Sequence, residues 1–221
     1  MKKDFDCVEM KNEIQRKLRA EYAGLSDEER LARIEKKMRD NPLLGSVYFR
    51  SLTDQKTDRV MEESSEYGTR KIRKKVFVDT SVFGGCFDKE FEKESRWFFD
   101  EVAAGRFEVV VSKIVMDEID DAPEHVQRFV DGLNFRVLDP NDEVTRLRDA
   151  YIDEGILGKS SLDDAEHIAA ASIEAVDLMV SWNFKHIVHF DKIRAYNAIN
   201  VLRGYRGIDI RCPSEVISYD D

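Results

Sequence analysis

The sequence predicts an α/β fold: a three-layer domain around a central parallel sheet, preceded by an N-terminal helical arm. Three observations carry this reading. From about residue 75 onward, short apolar and β-branched runs alternate with helical patterns, the signature of parallel strands joined by crossover helices. Ahead of them, two amphipathic stripes precede a 24-residue stretch (51–74) that is rich in charge and poor in apolar side chains, a linker by composition. Charge divides at the same place: residues 1–75 carry 19 basic and 15 acidic side chains, whereas 76–221 carry 16 and 30. A mildly basic arm thus precedes a strongly acidic body. The 221 residues, 42% hydrophobic and 36% charged, suffice for one full domain with an extension.

Each element has its own signal. Met10, Ile14, Leu18 and Tyr22 recur every four residues, one stripe of a helix that Gly24 can end in the left-handed conformation. Ser26 and Glu29 form a capping box for a second helix, whose Leu31, Ile34 and Met38 continue until Asn41 and Pro42. The apolar stretch at 43–50, with Tyr48 and Phe49 before Arg50, needs a covering surface. In the body, KKVFVD ending at Asp79 reads as the first strand, and a helix through Phe91, Trp97, Phe98 and Val102 closes at Gly105. The run 107–111 is the second strand, followed by helical patterns at about 113–121 and 124–132. FRVLD (135–139), DLMVSW (177–182) and IDIRC (208–212) supply the remaining strands, separated by helices near 142–155, 163–174 and 191–202.

Composition excludes several classes. No run approaches the roughly 18 apolar residues of a membrane span, and the opening lacks the apolar core of a secretory signal, so the expectation is a soluble cytoplasmic chain with no membrane partner. Cys7, Cys86 and Cys212 are scattered without CxxC spacing, which predicts free thiols rather than disulfides or a zinc knuckle. Neither a phosphate-binding glycine loop nor a GxSxG elbow occurs.

In a parallel sheet, ligands bind beyond the carboxyl ends of the strands, so acids at those ends weigh most. Asp79 ends the first strand and is followed by the hydroxyls of Thr80 and Ser81 and by Gly84 and Gly85, which allow a close turn. Glu118 stands a turn into the helix after the second strand, Asp163 and Asp164 open the helix DDAEHIAAA, and Asn183 follows LMVSW. Any one of these acids alone reads as a cap, a turn residue or a solvated face. Together they form a set of hard oxygen donors, with few histidines and no cysteine among them, suited to Mg²⁺ or Mn²⁺ rather than zinc. His167 shares the face of Asp163 and Asp164 and is expected to support the site from behind, while His186 and His189 are expected to pack rather than ligate.

These segments resemble the PIN-domain ribonucleases, in particular the toxins of type II toxin-antitoxin systems. FVDTSVFGG (77–85), DEI (117–119), DDAEHIAAA (163–171) and SWNFKHI (181–187) match the family's four motifs in order and spacing, over about 76–215. The resemblance implies an RNA-cleaving hydrolase using Mg²⁺ or Mn²⁺, with Asp79, Glu118 and Asp164 as ligands and Asn183 where the family often has Asp. Thr80, Ser81 and Asp163 would support them, and Lys113, Lys159, Lys185 and Arg194 are the basic candidates for contacting RNA. FDCVEMKNEIQRKLRAEYAGLSDEERLARIEKKM (5–38) is similar to a short antitoxin of the same systems, joined here to its toxin, with Met61 marking where a separate chain would begin. A linker of this length spans about 27 Å, enough for residues 1–50 to reach their own site or a neighbour's. The expected inhibitory contact is the 43–50 segment lying along the active-site groove, with Arg50 beside Asp79, Glu118 or Asp164 in place of the metal's charge. A homodimer is expected by resemblance, and the competing readings are a housekeeping nuclease with a dimerisation arm and an inactive RNA-binding module.

Overall fold

A computed structural model describes residues 3–48, 50 and 73–218. Five strands form one parallel sheet in the order β3-β2-β1-β4-β5. β1 (Lys74–Val78) is central, pairing Val76 with Val109 of β2 (Phe107–Ser112) on one side and with Leu178 of β4 (Leu178–Val180) on the other. β3 (Arg136–Leu138) and β5 (Ile210–Arg211) form the edges. The chain runs outward from β1 to β3 and then returns to the other side of β1, so the crevice beyond β1 and β4 is the topological switch point. Val76, Phe77, Val78, Val110, Val111, Met179 and Val180 are almost wholly buried, as strands covered on both faces require.

Helices flank the sheet. In chain order the body has α4 (Thr80–Gly85), α5 (Glu92–Ala103), α6 (Lys113–Asp120), α7 (Glu124–Asp131), α8 (Asp142–Asp153), α9 (Leu162–Ile173) and α10 (Phe190–Leu202). Ser112 caps α6 and Asn141 caps α8 through their side-chain oxygens, satisfying amides that have no partner within the helix. The six-residue α4 replaces the turn expected after Asp79, and Asp79 is its N-cap.

The arm begins with α1 (Cys7–Glu21), capped by Asp6, and Gly24 at φ +84° reverses the chain. The Ser26–Glu29 capping box starts α2 (Asp27–Asp40) as expected. Asn41 then accepts from the amides of Leu43 and Leu44 to open a helical turn, α3, at 44–48. Cys7, Met10, Ile14, Leu18, Ile34, Met38, Leu44 and Val47 belong to the same buried cluster as the sheet, so the arm and the body share one core.

One expectation is corrected here. Arg50 does not reach the carboxylates at the sheet edge: it is exposed and donates to the carbonyl oxygen of Asp131, at 3.2 Å. α2 packs along α6 and carries the chain away from the strand ends toward the last turn of α7, where a cation meets unpaired helix carbonyls. Tyr48 is buried with its ring 6.0 Å from the Lys113 ammonium, and Phe49 lies outside the described residues, as does 51–72 of the expected linker. Among the described residues no helix is long and apolar enough to cross a membrane.

Candidate functional site

Three strand-to-helix junctions deliver three buried carboxylates to the β1/β4 crevice. Asp79 follows β1, and its Oδ2 accepts from Ser81 Oγ (2.5 Å), Ser181 Oγ (2.9 Å) and the Ser81 amide (3.3 Å). With Oδ2 committed to the body, Oδ1 is left to face the arm. Glu118, on the inner face of α6, accepts from the Thr80 hydroxyl on Oε2 and lies 3.1 Å from His167 Nε2 on Oε1. Asp164, in the first turn of α9, takes Asn183 Nδ2 (3.1 Å) and His186 Nδ1 (2.8 Å) on Oδ2, again leaving Oδ1 free of the body.

The arm fills what remains. Lys11, wholly buried, donates to Asp79 Oδ1 at 2.5 Å and to Asp164 Oδ1 at 2.7 Å. One turn later, the Gln15 amide donates to Glu118 Oε1 at 2.8 Å and approaches Asp164 Oδ1 at 3.3 Å. Asp79, Glu118 and Asp164, which the sequence placed at one sheet edge, thus meet around these two arm side chains. The space between the carboxylates is taken by the ammonium and the amide.

The charges are strongly coupled. Burial disfavours the Lys11 ammonium, but Asp164, Asp79 and Glu118 together outweigh it and raise its pKa. Burial likewise works against the anions of Asp79 and Asp164, yet Lys11 holds both below the ordinary carboxylate range. His167 is also held toward its charged form, burial opposing and Glu118 prevailing. It backs the site through Glu118, as expected. The donor set suits a hard cation: oxygen atoms from Asp79, Glu118 and Asp164, with an ammonium already standing between two of them.

Asp163 turns away from this cluster. It pairs with Arg30 (2.8 Å) and Arg19 (3.4 Å) of the arm, within a network that continues through Glu166 to Arg148. Lys37 meets Asp117 (2.9 Å), Asp120 and Asp121, the Tyr22 hydroxyl donates to Asp117 (2.9 Å), and Lys17 reaches Asp121. The carboxylates of α6 and of the start of α9 are thus neutralised by the arm. Of the basic candidates, Lys113 is paired with Glu35 (2.5 Å) and Asp139 (2.7 Å), and Arg194 stacks over Phe190.

Sequence reasoning missed Lys11, Gln15 and His186. Lys11 and Gln15 sit one position after Met10 and Ile14, so they share the buried edge of the same helical stripe, and that i, i+4 polar pair beside an apolar row was the available signal. His186, which the sequence places in the packing, instead has its Nδ1 aimed at Asp164 by the turn after β4. No family model matches the chain, and no curated protein or solved structure matches it.

Proposed function

We propose that the chain is a metal-dependent ribonuclease of the PIN type, toxin-like, using Mg²⁺ or Mn²⁺ held by Asp79, Glu118 and Asp164, and that its own first helix restrains it. One observation carries this reading: three fully buried carboxylates from separate junctions meet on one arm helix, two of them on the Lys11 ammonium and the third on the Gln15 amide. Buried ion clusters seldom raise stability over apolar packing of the same volume, so such a site at a switch point calls for a functional reason.

Bound there, the ion would supply positive charge to a phosphate oxygen and acidify an attacking water. The protein's own groups do the rest. Ser81, Ser181, Asn183 and His186 fix the far oxygens of Asp79 and Asp164, so the near oxygens are aimed before any ligand arrives. Glu118, oriented by Thr80 and His167, would either complete the ion's ligands or accept the proton of the attacking water. Asn183, whose carbonyl takes the His186 amide at 3.0 Å, leaves the site one charge short of four carboxylates.

The test is RNA cleavage with Mn²⁺ by the full chain carrying Lys11→Ala and Gln15→Ala, against the parent chain. Cleavage should rise at least tenfold and vanish on adding Asp164→Asn. A Lys11→Ala/Gln15→Ala chain whose first helix exchanges its amides freely, yet which cuts no faster than its Asp164→Asn control, would end the nuclease reading.

A further inference from the structure

The two flanks of the site differ in charge. On the α6/α9 side, Asp117, Asp120, Asp121, Asp163 and Glu166 form an acidic face already occupied by Arg30 and Lys37 of α2, with Tyr22 and Asn41 beside them, so it offers a polyanion no free cation. On the other side, the turn after β4 carries Phe184 and Lys185, with Lys192 following on α10. Neither lysine forms an ion pair among the described residues. Lys185 lines a groove on this flank, while Lys192, on the next helix, is disfavoured as a cation by its partial burial and by Lys185, with Asp164 acting the other way.

This flank also has a rigid aromatic pile. Trp182 is buried, stacks on Phe91 with centroids 4.3 Å apart and planes at 18°, and is pinned by its Nε1 donating to Ser95 Oγ at 2.9 Å. Phe184 rests 6.1 Å from Trp182 and 6.5 Å from Phe91, yet is 47% exposed. The groove, of about 600 Å³, runs past Phe91, Trp182, Phe184 and Lys185 and reaches Asn183 and His186; its opposite wall is α1 and the residues before it, where Asp6 and Glu9 face it beside Lys3 and Arg16, so the acidic part of that wall leaves only when α1 opens. Those last two residues hold Asp164.

We propose that this groove is the path of single-stranded RNA, with a base stacked on Phe184 and the adjoining phosphates along Lys185 and Lys192, leading the next phosphodiester to the carboxylates. The inference rests on the nuclease reading and adds where the substrate lies. An exposed ring on a fixed support offers a face to any unstacked base, and the Lys185 ammonium beside it suits a phosphate, with Lys192 on the following helix the next lysine along the chain. A duplex shows no base face and is not accommodated in this way.

The experiment is fluorescence anisotropy of a labelled eight-nucleotide single-stranded RNA in EDTA, with the full chain carrying Lys11→Ala and Gln15→Ala as the parent. Phe184→Ala should weaken binding roughly 5- to 150-fold, the range for one stacked base. Phe184→Leu, which keeps an apolar side chain on the pile but no ring, should weaken it similarly and guards against misfolding. Lys185→Glu/Lys192→Glu should weaken binding and reduce the salt slope by about 1.4, from about 0.7 per phosphate contact. The same charge change at Lys36 and Lys93, away from the groove, serves as control. Unchanged affinity for both Phe184 variants, or charge variants no weaker than the control, overturns the path. Because binding is read without cleavage, a chain that binds through Phe184 but never cuts overturns the nuclease reading instead.

Discussion

Gly84 gives the sharpest handle on the arm. The glycine was expected to serve a close turn, but it has no left-handed backbone; it lies in α4, facing α1. A Cβ placed there would stand 2.9 Å from Met10 Cε, 3.0 Å from Cys7 Cβ and 3.5 Å from Cys7 Cα. All three contacts belong to the arm. Gly85, next to it, would instead meet Ser95 and Trp182 of the body. The Met10 methyl can swing aside, whereas Cys7 cannot, because its amide is held by Asp88 Oδ2 at 3.0 Å. Gly84→Ala therefore falls at the low end of overpacking, about 1 kcal/mol, and Gly84→Val near the top, about 3 kcal/mol. At 1.4 kcal/mol per tenfold, the docking equilibrium shifts roughly 5-fold and 150-fold. Hydrogen exchange of the α1 amides reads the shift directly, with RNA cleavage as the functional readout. Cys7→Gly in the Gly84→Val chain removes the fixed obstacle and should restore much of the protection. Gly85→Ala should lower the melting temperature of the whole molecule instead. Parent-like α1 protection in Gly84→Val, or no rescue by Cys7→Gly, would refute the seat.

Two further outcomes are expected. Burial first, then Asp88, raises the Cys7 thiol well above its usual range, so maleimide labelling of Cys7 should be slow in the parent and at least tenfold faster in Lys11→Ala/Gln15→Ala. Cys86, which burial pushes up to about 12, should stay protected in both, as peptide mapping by mass spectrometry will tell. Asp117 is pushed up to about 6 by burial, Lys37 and Tyr22 only partly opposing. A carboxyl whose folded pKa exceeds its ordinary 3.8 binds its proton more tightly when folded, so its contribution is complete below about 4 and is lost as pH rises through 6. Asp117→Asn should flatten that slope in urea titrations between pH 4 and 7 and raise stability at pH 7. Asp79 and Asp164, held low, reach their full contribution only about a unit above 3.8, so they add slope of the opposite sign up to about pH 5 and none from there to 7.

The sheet was legible because its strands are consecutive apolar runs ended by Asp79, Ser112 and Asn183 or their neighbours, and burial on both faces leaves no other reading. The helix α4 was hidden by its own composition, since TSVFGG with two glycines carries turn signals while its real cap, Asp79, was already assigned to chemistry. Asp163 and Asp164 are adjacent in sequence and about 100° apart around α9, so one joins the cluster and the other faces Arg30. Spacing alone does not choose between them. The cation at the carboxylates is Lys11 and not Arg50 for a similar reason: electrostatics demands a cation there but does not say which. Arg50 had the fork geometry and the right tether, whereas the burial of Met10, Ile14 and Leu18 is what brings the first helix over the site.

Holding the arm and blocking the site fall to different residues. Holding is spread over the common core of Met10, Ile14, Leu18, Ile34 and Met38 and over the pairs made by Arg30 and Lys37. Blocking is concentrated in Lys11 and Gln15. Deleting residues 1–60 removes both together and bares apolar surface on α4 and α6, so an inert truncated chain would report an open core as much as an inert site. Lysine suits the blocking position better than arginine, since its compact ammonium spreads three donors over two carboxylates, while a planar fork favours one carboxylate at a time. Under the proposed function, Lys11 and a divalent ion compete for Asp79 Oδ1 and Asp164 Oδ1. Linkage makes that competition reciprocal: the factor by which docking weakens the ion is the factor by which the ion weakens docking. With α2 still anchored by its ion pairs and core contacts, displacing Lys11 requires only that α1 open, so relief of inhibition on this reading is a local opening rather than loss of the arm.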